Sequence, residues 1–493
     1  MKKRTVLFGS LVLGLVLTMG LHAEDTKIVG YLLGSAPSGT QDVVDALNTK
    51  LKGDLGVKLE LNYIGWNEVN SKYPLILAAG EGVDWVYAAA WNNYSTQAVR
   101  GAYKELTPEM IQKYMPRHWK ATPPEAWDQA KVNGKVYMVP TATPDRKIPV
   151  AVIRGDLRKK YGLAPITNVK DLEPYLAAVK KNNPDIIPIN LGNGYDIGQP
   201  FFAILNNSVP PIYTALIGSV YGNYEDKKHS TVNLLEEPYR TSFRNTALTL
   251  QSWYKKGYIN KAPFANTVLS KQSFAQGKSA VGFGNSQDIQ EVLAKAAADG
   301  FDPEIIPILS STGHSPADSH IGNGVAIAAN SRNWEKTLQM LDLIMEEPTY
   351  DLLTYFGIQG KNYVLTADGK LTLPKGLAPD QNSYPPDAAG FWFTNKDLFP
   401  PQASWTNQYL DLKKRMKDIL VVNTFIDFSF TPDKVKNEIA SITNVMSQYS
   451  DPISIGAVSD VDKAIGTLAA KLKAAGQDKV VTEVKTQLAA FYK

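Results

Sequence analysis

Aromatic rings stand beside amides, carboxylates and hydroxyls at several points where a predicted strand ends. A flat ring offers an apolar face for stacking, while short polar side chains beside it supply hydrogen-bond donors and acceptors. This mixture suits a pyranose sugar, which has an apolar C–H face and an edge of hydroxyl groups. The candidate ligand contacts of this kind are Tyr63, Trp66, Trp91, Asn92, Tyr94, Tyr195, Asp196 and Trp392.

Each of these rings also has a structural interpretation, because large aromatic residues more often fill a protein core than contact a ligand. Trp91, Tyr195 and Trp392 lie in predicted loops, and this placement favours ligand contact for these three. Trp85 instead lies inside a predicted strand, which favours a place in the core.

Further polar candidates lie in loops and at predicted crossings between lobes. Small residues at positions 34–40 let the amide groups of the following helix face a ligand. The Asp84 carboxylate could accept a hydrogen bond from a ligand hydroxyl or cap a helix. Arg146, together with Asp145, could contact a ligand or form an ion pair at the hinge, and we favour the ion pair. The additional candidates are Ser35, Ser38, Asp84, Arg146, Asn285 and Asn323.

Other chemistries find little support in the chain. A phosphate-binding loop would need lysine where the sequence has Thr40. The chain has no cysteine, its histidines show no paired zinc spacing, and no Gly-x-Ser-x-Gly elbow is present. We therefore expect no catalytic residue, metal ligand or cofactor. The alternative is a secreted glycoside hydrolase or polysaccharide lyase, since the separation of two carboxylates across a cleft cannot be read from sequence.

Residues 1–23 have the pattern of a secretory signal peptide, because Lys2, Lys3 and Arg4 precede an apolar run that ends at Ala23. The run is shorter than the roughly 20 apolar residues that span a bilayer. A bacterial lipid anchor would need a cysteine at the cleavage point. We therefore expect a cleaved, unanchored protein in the periplasm.

Charge and length limit the class of protein further. The formal charge of +4 falls to +1 once the three cations of residues 1–23 are removed. This near neutrality argues against nucleic acid as a partner and favours a small uncharged or mixed ligand. At about 100 to 200 residues per domain, a chain of 493 residues predicts two or three domains.

Strands and helices alternate along the chain, a pattern typical of a parallel sheet covered on both faces. The first strands are predicted at residues 27–33, 58–64 and 83–89. The pattern restarts after residues 140–148, which we interpret as a crossing between lobes. Three later strands, which suggest a return to the first sheet, are predicted at residues 279–283, 305–309 and 324–329. The last part of the chain reads as helices, which we expect to pack on the second lobe.

Several motifs follow one another in an order typical of one family. They occupy residues 73–86, 133–140, 154–163, 274–281 and 350–363. Together with the C-terminal helices, they resemble the extracellular solute-binding proteins of bacterial ABC importers, of the sugar-binding type related to maltose-binding protein. Tyr355-Phe356-Gly357 and the residues around it resemble a subgroup of long solute-binding lipoproteins, although this chain lacks their lipid-bearing cysteine.

The resemblance implies an α/β fold of the two-lobed periplasmic-binding-protein type II, with an extra helical C-terminal region. Lobe 1 is expected at residues 24–146 plus 319–380, and lobe 2 at residues 147–318 plus 381–493, with about three crossings. The implied function is capture of a carbohydrate of oligosaccharide length by hinge closure, followed by delivery to an ABC transporter permease in the membrane. A monomer without enzymatic activity is expected.

Overall fold

The computed structural model describes residues 25–80, 82–426, 428 and 430–492, so the predicted signal peptide lies outside the described residues. The strands are β1 (Thr26–Leu33), β2 (Val57–Ile64), β3 (Trp85–Tyr87), β4 (Lys131–Val132), β5 (Lys135–Val136), β6 (Val139–Pro140), β7 (Pro149–Arg154), β8 (Ile187–Ile189), β9 (Tyr213–Ile217), β10 (Val220–Gly222), β11 (Thr231–Val232), β12 (Ser279–Asn285), β13 (Pro303–Pro307), β14 (Ser315–Pro316), β15 (Gly324–Ile327), β16 (Val364–Leu365), β17 (Leu371–Thr372) and β18 (Leu420–Val421).

The α-helices are α1 (Thr40–Leu55), α2 (Val69–Ala79), α3 (Tyr94–Val99), α4 (Pro108–Tyr114), α5 (Pro116–Ala121), α6 (Pro124–Gln129), α7 (Gly155–Lys160), α8 (Glu173–Asn182), α9 (Gln199–Asn206), α10 (Arg240–Lys255), α11 (Ser270–Ala275), α12 (Gln290–Ala298), α13 (Trp334–Glu346), α14 (Pro348–Phe356), α15 (Asn407–Ile419), α16 (Lys436–Val445), α17 (Asp451–Ser454), α18 (Val461–Ala474) and α19 (Gln477–Phe491). Short 3₁₀ turns include Trp66–Glu68, Ala90–Asn92, His320–Gly322 and Lys396–Leu398.

The first lobe is built on a five-stranded sheet in the order β2-β1-β3-β15-β6. β1 pairs in parallel with β2 and β3, so the carboxyl ends of these three strands lie at one edge. Gly30 of β1 leaves room for the Trp85 ring, since a Cβ there would lie 2.2 Å from the indole. The buried face of α1 follows the spacing that the sequence predicts. It consists of Val43, Val44, Leu47 and Leu51.

The second lobe contains a four-stranded sheet in the order β13-β7-β12-β8. Three crossings join the lobes. Residues 141–148 connect β6 to β7, and residues 308–323 connect β13 to β15. Residues 394–404 run from Phe393 in the core of the first lobe to Trp405, which packs against a core cluster of the second. The two-lobed α/β class that the sequence predicts is therefore confirmed.

Both sheets are mixed, although the sequence predicts parallel ones. β15 runs antiparallel to β3 and β6, and β7 runs antiparallel to β12 and β13. β7 and β15 each follow a crossing, so the chain enters these strands from the other lobe and runs in the opposite direction. Of the three late strands expected in the first sheet, only β15 joins it; β12 and β13 belong to the second sheet.

Residues 381–393 pack on the first lobe and not, as expected, on the second. Tyr384, Phe391 and Phe393 are buried in the core cluster that also contains β1 and β3. Because these three rings are buried against β1 and β3, residues 381–393 belong with the first lobe. Ile442 and Leu468 of the helical C-terminal region are buried in the core cluster that also contains Ala151 and Ile153 of β7.

Candidate functional site

Three tryptophans gather at the edge of the first sheet where β1, β2 and β3 end. Trp66 begins the turn after β2, Trp91 lies in the turn after β3, and Trp392 comes from residues 385–393. The ring centroids of Trp66 and Trp392 are 5.7 Å apart, with an angle of 16° between the planes. Those of Trp66 and Trp91 are 6.1 Å apart. We call these three rings the tryptophan platform.

Tyr87, the last residue of β3, supports the platform from the core side. Its ring centroid lies 5.9 Å from that of Trp91 and 5.5 Å from that of Trp392. Tyr87 is fully buried, whereas Trp66 and Trp91 are 54% and 55% exposed. Neighbouring indoles that remain exposed form an apolar surface patch, and such a patch typically marks a binding site.

Hydrogen bonds inside the protein hold two of these rings in place. The indole N–H of Trp91 donates to the carbonyl oxygen of Gly322 at 2.8 Å. The indole N–H of Trp392 donates to the carbonyl oxygen of Asp387 at 2.7 Å. Since the polar edges are satisfied, the ring faces are what these two residues offer to a ligand.

The loop at residues 34–40 borders the platform. Ser35 and Ser38 are exposed there, and the Ser38 hydroxyl lies 3.5 Å from the carbonyl oxygen of Ser383. The hydroxyl of Tyr63 donates to the carbonyl oxygen of Ala389 at 2.9 Å, which ties β2 to residues 385–393. Burial raises the pKa of the Tyr63 hydroxyl to about 12, so this donor stays protonated at neutral pH.

A cavity of about 170 Å³ lies between the lobes beside this platform. The first lobe lines it with Tyr355, Pro386, Asp387 and Ala388, and the second lobe and third crossing with Lys271, Gln287, Asp288, Gln290 and Gln402. Tyr195, on the loop before α9, is 47% exposed. Partial burial and then the Asp288 carboxylate raise the pKa of its hydroxyl.

The three crossings meet at Asp145. Its carboxylate lies 2.5 Å from the Lys396 ammonium of the third crossing and 3.0 Å from the Lys147 ammonium. It also accepts a bond of 3.0 Å from the Asn323 amide of the second crossing. Burial alone would raise the pKa of Asp145, but the two ammonium groups outweigh burial and hold that pKa well below its ordinary value.

We call Asp145, Lys147, Asn323 and Lys396 the hinge cluster. It contacts the residue beneath the platform, because the Tyr87 hydroxyl donates to the Asn323 side-chain oxygen at 2.6 Å. Arg146 pairs with Asp397 of the third crossing at 2.9 Å. The ion-pair interpretation of Asp145 and Arg146 therefore agrees with the structure, although each residue pairs with the third crossing.

Asp84, Tyr94 and Asp196, which the sequence predicts as ligand contacts, have structural roles instead. Asp84 accepts from the Val29 N–H at 2.9 Å and from the Ser331 hydroxyl at 2.6 Å. The Tyr94 hydroxyl donates to the Ala130 carbonyl oxygen. Asp196 is fully buried and accepts from the main chain and hydroxyl of Ser270. Buried groups that are already bonded cannot turn towards a cleft without losing those bonds.

The asparagine candidates fall into different environments. Asn92 is buried, and its side-chain nitrogen has no hydrogen-bond partner within the described residues. Asn285 caps a turn, since its side-chain oxygen accepts from the Gln287 and Asp288 N–H groups. Asn323 joins Tyr87 to the hinge cluster. None of these three residues is among those that line the cavity.

Sequence reasoning missed Tyr87 and Asp387. Tyr87 lies inside the strand predicted at residues 83–89, two residues after Trp85, and this position could have indicated it. Asp387 follows Pro385-Pro386, a bend that the sequence does reveal, but only the fold places that bend beside β1. The described ranges contain no group of three or more histidine, aspartate or glutamate side chains placed to hold a metal ion. Nor do they contain a helix with the length and apolar composition needed to cross a membrane.

Residues 34–349 match the family described as bacterial extracellular solute-binding protein, and residues 424–493 match a domain of unknown function, DUF3502. The first match spans more than half of the chain and every strand of the two large sheets except β1. The chain belongs to the bacterial extracellular solute-binding proteins. Because this is a family of binding proteins, the glycoside hydrolase and lyase alternative is set aside.

A protein of Streptococcus pneumoniae serotype 4, described as a carbohydrate ABC transporter substrate-binding protein, is 29% identical over 475 residues. That alignment covers 94% of this chain and 90% of the relative.

The fold is similar to that of the N-glycan transport solute binding protein (NgtS) from Streptococcus pneumoniae, with a TM-score of 0.77 and 26% identity. The match covers 95% of this chain and 99% of that protein. Its complexes with Man1GlcNAc and Man5GlcNAc give TM-scores of 0.72 and 0.69. A human-milk-oligosaccharide-binding protein from Bifidobacterium longum infantis is 16% identical with a TM-score of 0.64, and shares the fold alone.

Proposed function

We propose that this protein binds an oligosaccharide between its two lobes and delivers it to an ABC transporter permease. The observation that carries the proposal is the tryptophan platform, in which two contacting indoles are more than half exposed beside a polar cavity. Sugar rings stack on such faces through their C–H groups, while the polar cavity wall bonds their hydroxyls. The carbohydrate role of the relative and the glycan complexes of NgtS support this choice of ligand.

Binding is expected to close the lobes. A ligand shifts the open-to-closed balance only if it binds the closed state better, which requires contacts with both lobes at once. In this proposal, Trp66, Trp91 and Trp392 hold the ligand on the first lobe, and Tyr195 with Gln287 bonds it from the second. Ser35, Ser38 and Tyr63 border the same site.

The proposed location is the periplasm, reached through a signal peptide at residues 1–23 and without a lipid anchor. The proposed partners are the carbohydrate ligand and the permease, and the protein is expected to act as a monomer with no nucleic acid bound.

Thermal shift and calorimetry with a saccharide panel test the proposal. A suitable panel contains β-1,4-mannotriose, maltotriose, cellotriose and N,N′-diacetylchitobiose, with a tripeptide as a non-sugar control. We expect at least one saccharide to raise the melting temperature and to be recovered unaltered. Trp91→Ala should weaken its binding while leaving the ligand-free melting temperature nearly unchanged, because the ring is half exposed.

Two results would contradict the proposal. A protein that binds the tripeptide and no saccharide has another ligand class. Equal losses of ligand-free stability and affinity in Trp91→Ala would assign that ring to packing.

A further inference from the structure

Asp387 stands where the tryptophan platform meets the cavity between the lobes. It has a positive φ of 68°, a left-handed conformation that aspartate and asparagine tolerate better than most residues. Its carbonyl oxygen accepts from Trp392, and one carboxylate oxygen accepts the Tyr355 hydroxyl at 2.8 Å. These two bonds fix the carboxylate at the cavity wall, next to the ring on which a ligand would stack.

The charges of the cavity wall do not cancel. Among the described residues, the lining has one basic side chain, Lys271, and two acidic ones, Asp288 and Asp387. Lys271 and Asp288 form a salt bridge of 2.8 Å. Asp387 is therefore the uncompensated charge of this wall.

The lysines of the hinge do not supply the missing positive charge. Lys396 and Lys147 both contact the Asp145 carboxylate, and Lys147 also lies 3.4 Å from the Asp318 carboxylate, so two cations face two carboxylates. A carboxylate on a ligand would therefore have to displace an existing ion pair to find a cation at this wall.

We propose that Asp387 makes this site select neutral saccharides over acidic ones, such as those that carry uronic acid. This inference rests on the proposed saccharide function. A neutral hydroxyl can donate a charge-assisted hydrogen bond to the Asp387 carboxylate. A uronate at the same position meets a like charge in a partly enclosed space, where repulsion is stronger than in bulk water.

Matched pairs of ligands test this selection. β-1,4-Mannotriose and β-1,4-trimannuronate differ only at C6 of each ring, which is a hydroxymethyl group in the first and a carboxyl group in the second. Maltotriose and cellotriose are compared with their forms oxidised at C6. In each pair that binds, we expect the neutral member to bind at least tenfold more tightly at low ionic strength, with a smaller difference at high salt.

Asp387→Asn keeps the side-chain size and the tolerance of a left-handed φ. It should reduce the ratio of the affinities for the neutral and acidic members of a pair at least threefold. The control Asp478→Asn removes one negative charge from an exposed position on α19 and should leave this affinity ratio unchanged. An unchanged ratio in Asp387→Asn, or equal or tighter binding of the acidic members by the unaltered protein, would overturn the inference while leaving the saccharide function intact. If no saccharide of either kind binds, the proposed function fails, and the inference fails with it.

Discussion

The two walls of the cleft are built from different chemistry. The first lobe presents a stack of three indoles, and the N–H groups of Trp91 and Trp392 are bonded to the main chain, so these two ring faces are fixed before any ligand arrives. The second lobe presents mainly polar side chains, among them Gln287 and the Lys271–Asp288 pair. From this difference we propose a division of labour, in which the first lobe captures the ligand by stacking and the second lobe adds hydrogen bonds on closure.

The hinge connects these walls through long-range contacts. Asp145 contacts Lys396 and Asn323 of the other two crossings. The Asn323 side chain also accepts a hydrogen bond from the hydroxyl of Tyr87, which lies beneath the platform. Four substitutions, in order of decreasing expected effect, test this difference between the two walls.

Trp85→Ala is expected to cost about 3 to 5 kcal/mol of unfolding free energy, because this fully buried indole leaves a cavity against Gly30. Urea denaturation measures the loss. If Trp85→Ala were as stable as the parent, the distinction between core and platform tryptophans in the first lobe would not hold.

Asp145→Asn is expected to cost about 3 kcal/mol of stability at pH 7, since it leaves Lys396 and Lys147 without their buried partner. The lowered pKa of Asp145 means that its contribution is full above the unfolded pKa of about 4 and falls as pH drops towards the folded pKa. The gap between parent and variant should therefore shrink when urea denaturation is repeated from pH 7 down to pH 3. The control Asp397→Asn breaks the exposed Arg146 pair and should cost less than about 1 kcal/mol.

Trp66→Ala is expected to weaken saccharide binding by about 2 kcal/mol, which is about thirtyfold, with little change in ligand-free stability. Calorimetry and thermal melts separate the two effects. Phe491→Ala removes a similarly exposed ring from α19 and should leave affinity unaltered. A Trp66→Ala protein that kept full affinity would remove the platform from the binding site.

Tyr195→Ala is expected to cost about 1 kcal/mol of affinity, about fivefold, because the proposed function gives this half-exposed ring of the second lobe a contact with the ligand. Stopped-flow measurement should show the loss mainly in the dissociation rate, as contacts made on closure slow release. Tyr195→Phe distinguishes ring from hydroxyl. An effect larger than that of Trp66→Ala would reverse the proposed division of labour.

Much of the fold follows from local sequence patterns. The buried face of α1 and the C-terminal helices were predictable, because helical spacing of apolar residues is read within a few turns. Strand direction was not, since β7 and β15 owe their antiparallel pairing to crossings whose path local periodicity does not record. The candidate site was predictable in residue type, through Trp66, Trp91 and Trp392, but not in its polar partners.

Composition and periodicity indicate helices, strands and aromatic rings in loops, and the order of the motifs carries the resemblance that implies a two-lobed binding protein. The exposure of each ring and the hydrogen bonds of each carboxylate depend on the folded chain. The sequence suggests Asp84 and Asp196 as ligand contacts, but in the folded chain Asp84 accepts a hydrogen bond from Ser331 and Asp196 accepts one from Ser270. Asp387 reads as a bend residue until packing of residues 385–393 beside β1 places its charge in the cleft. Burial and pairing are decided by contacts between distant parts of the chain, and these exist only once the chain has folded.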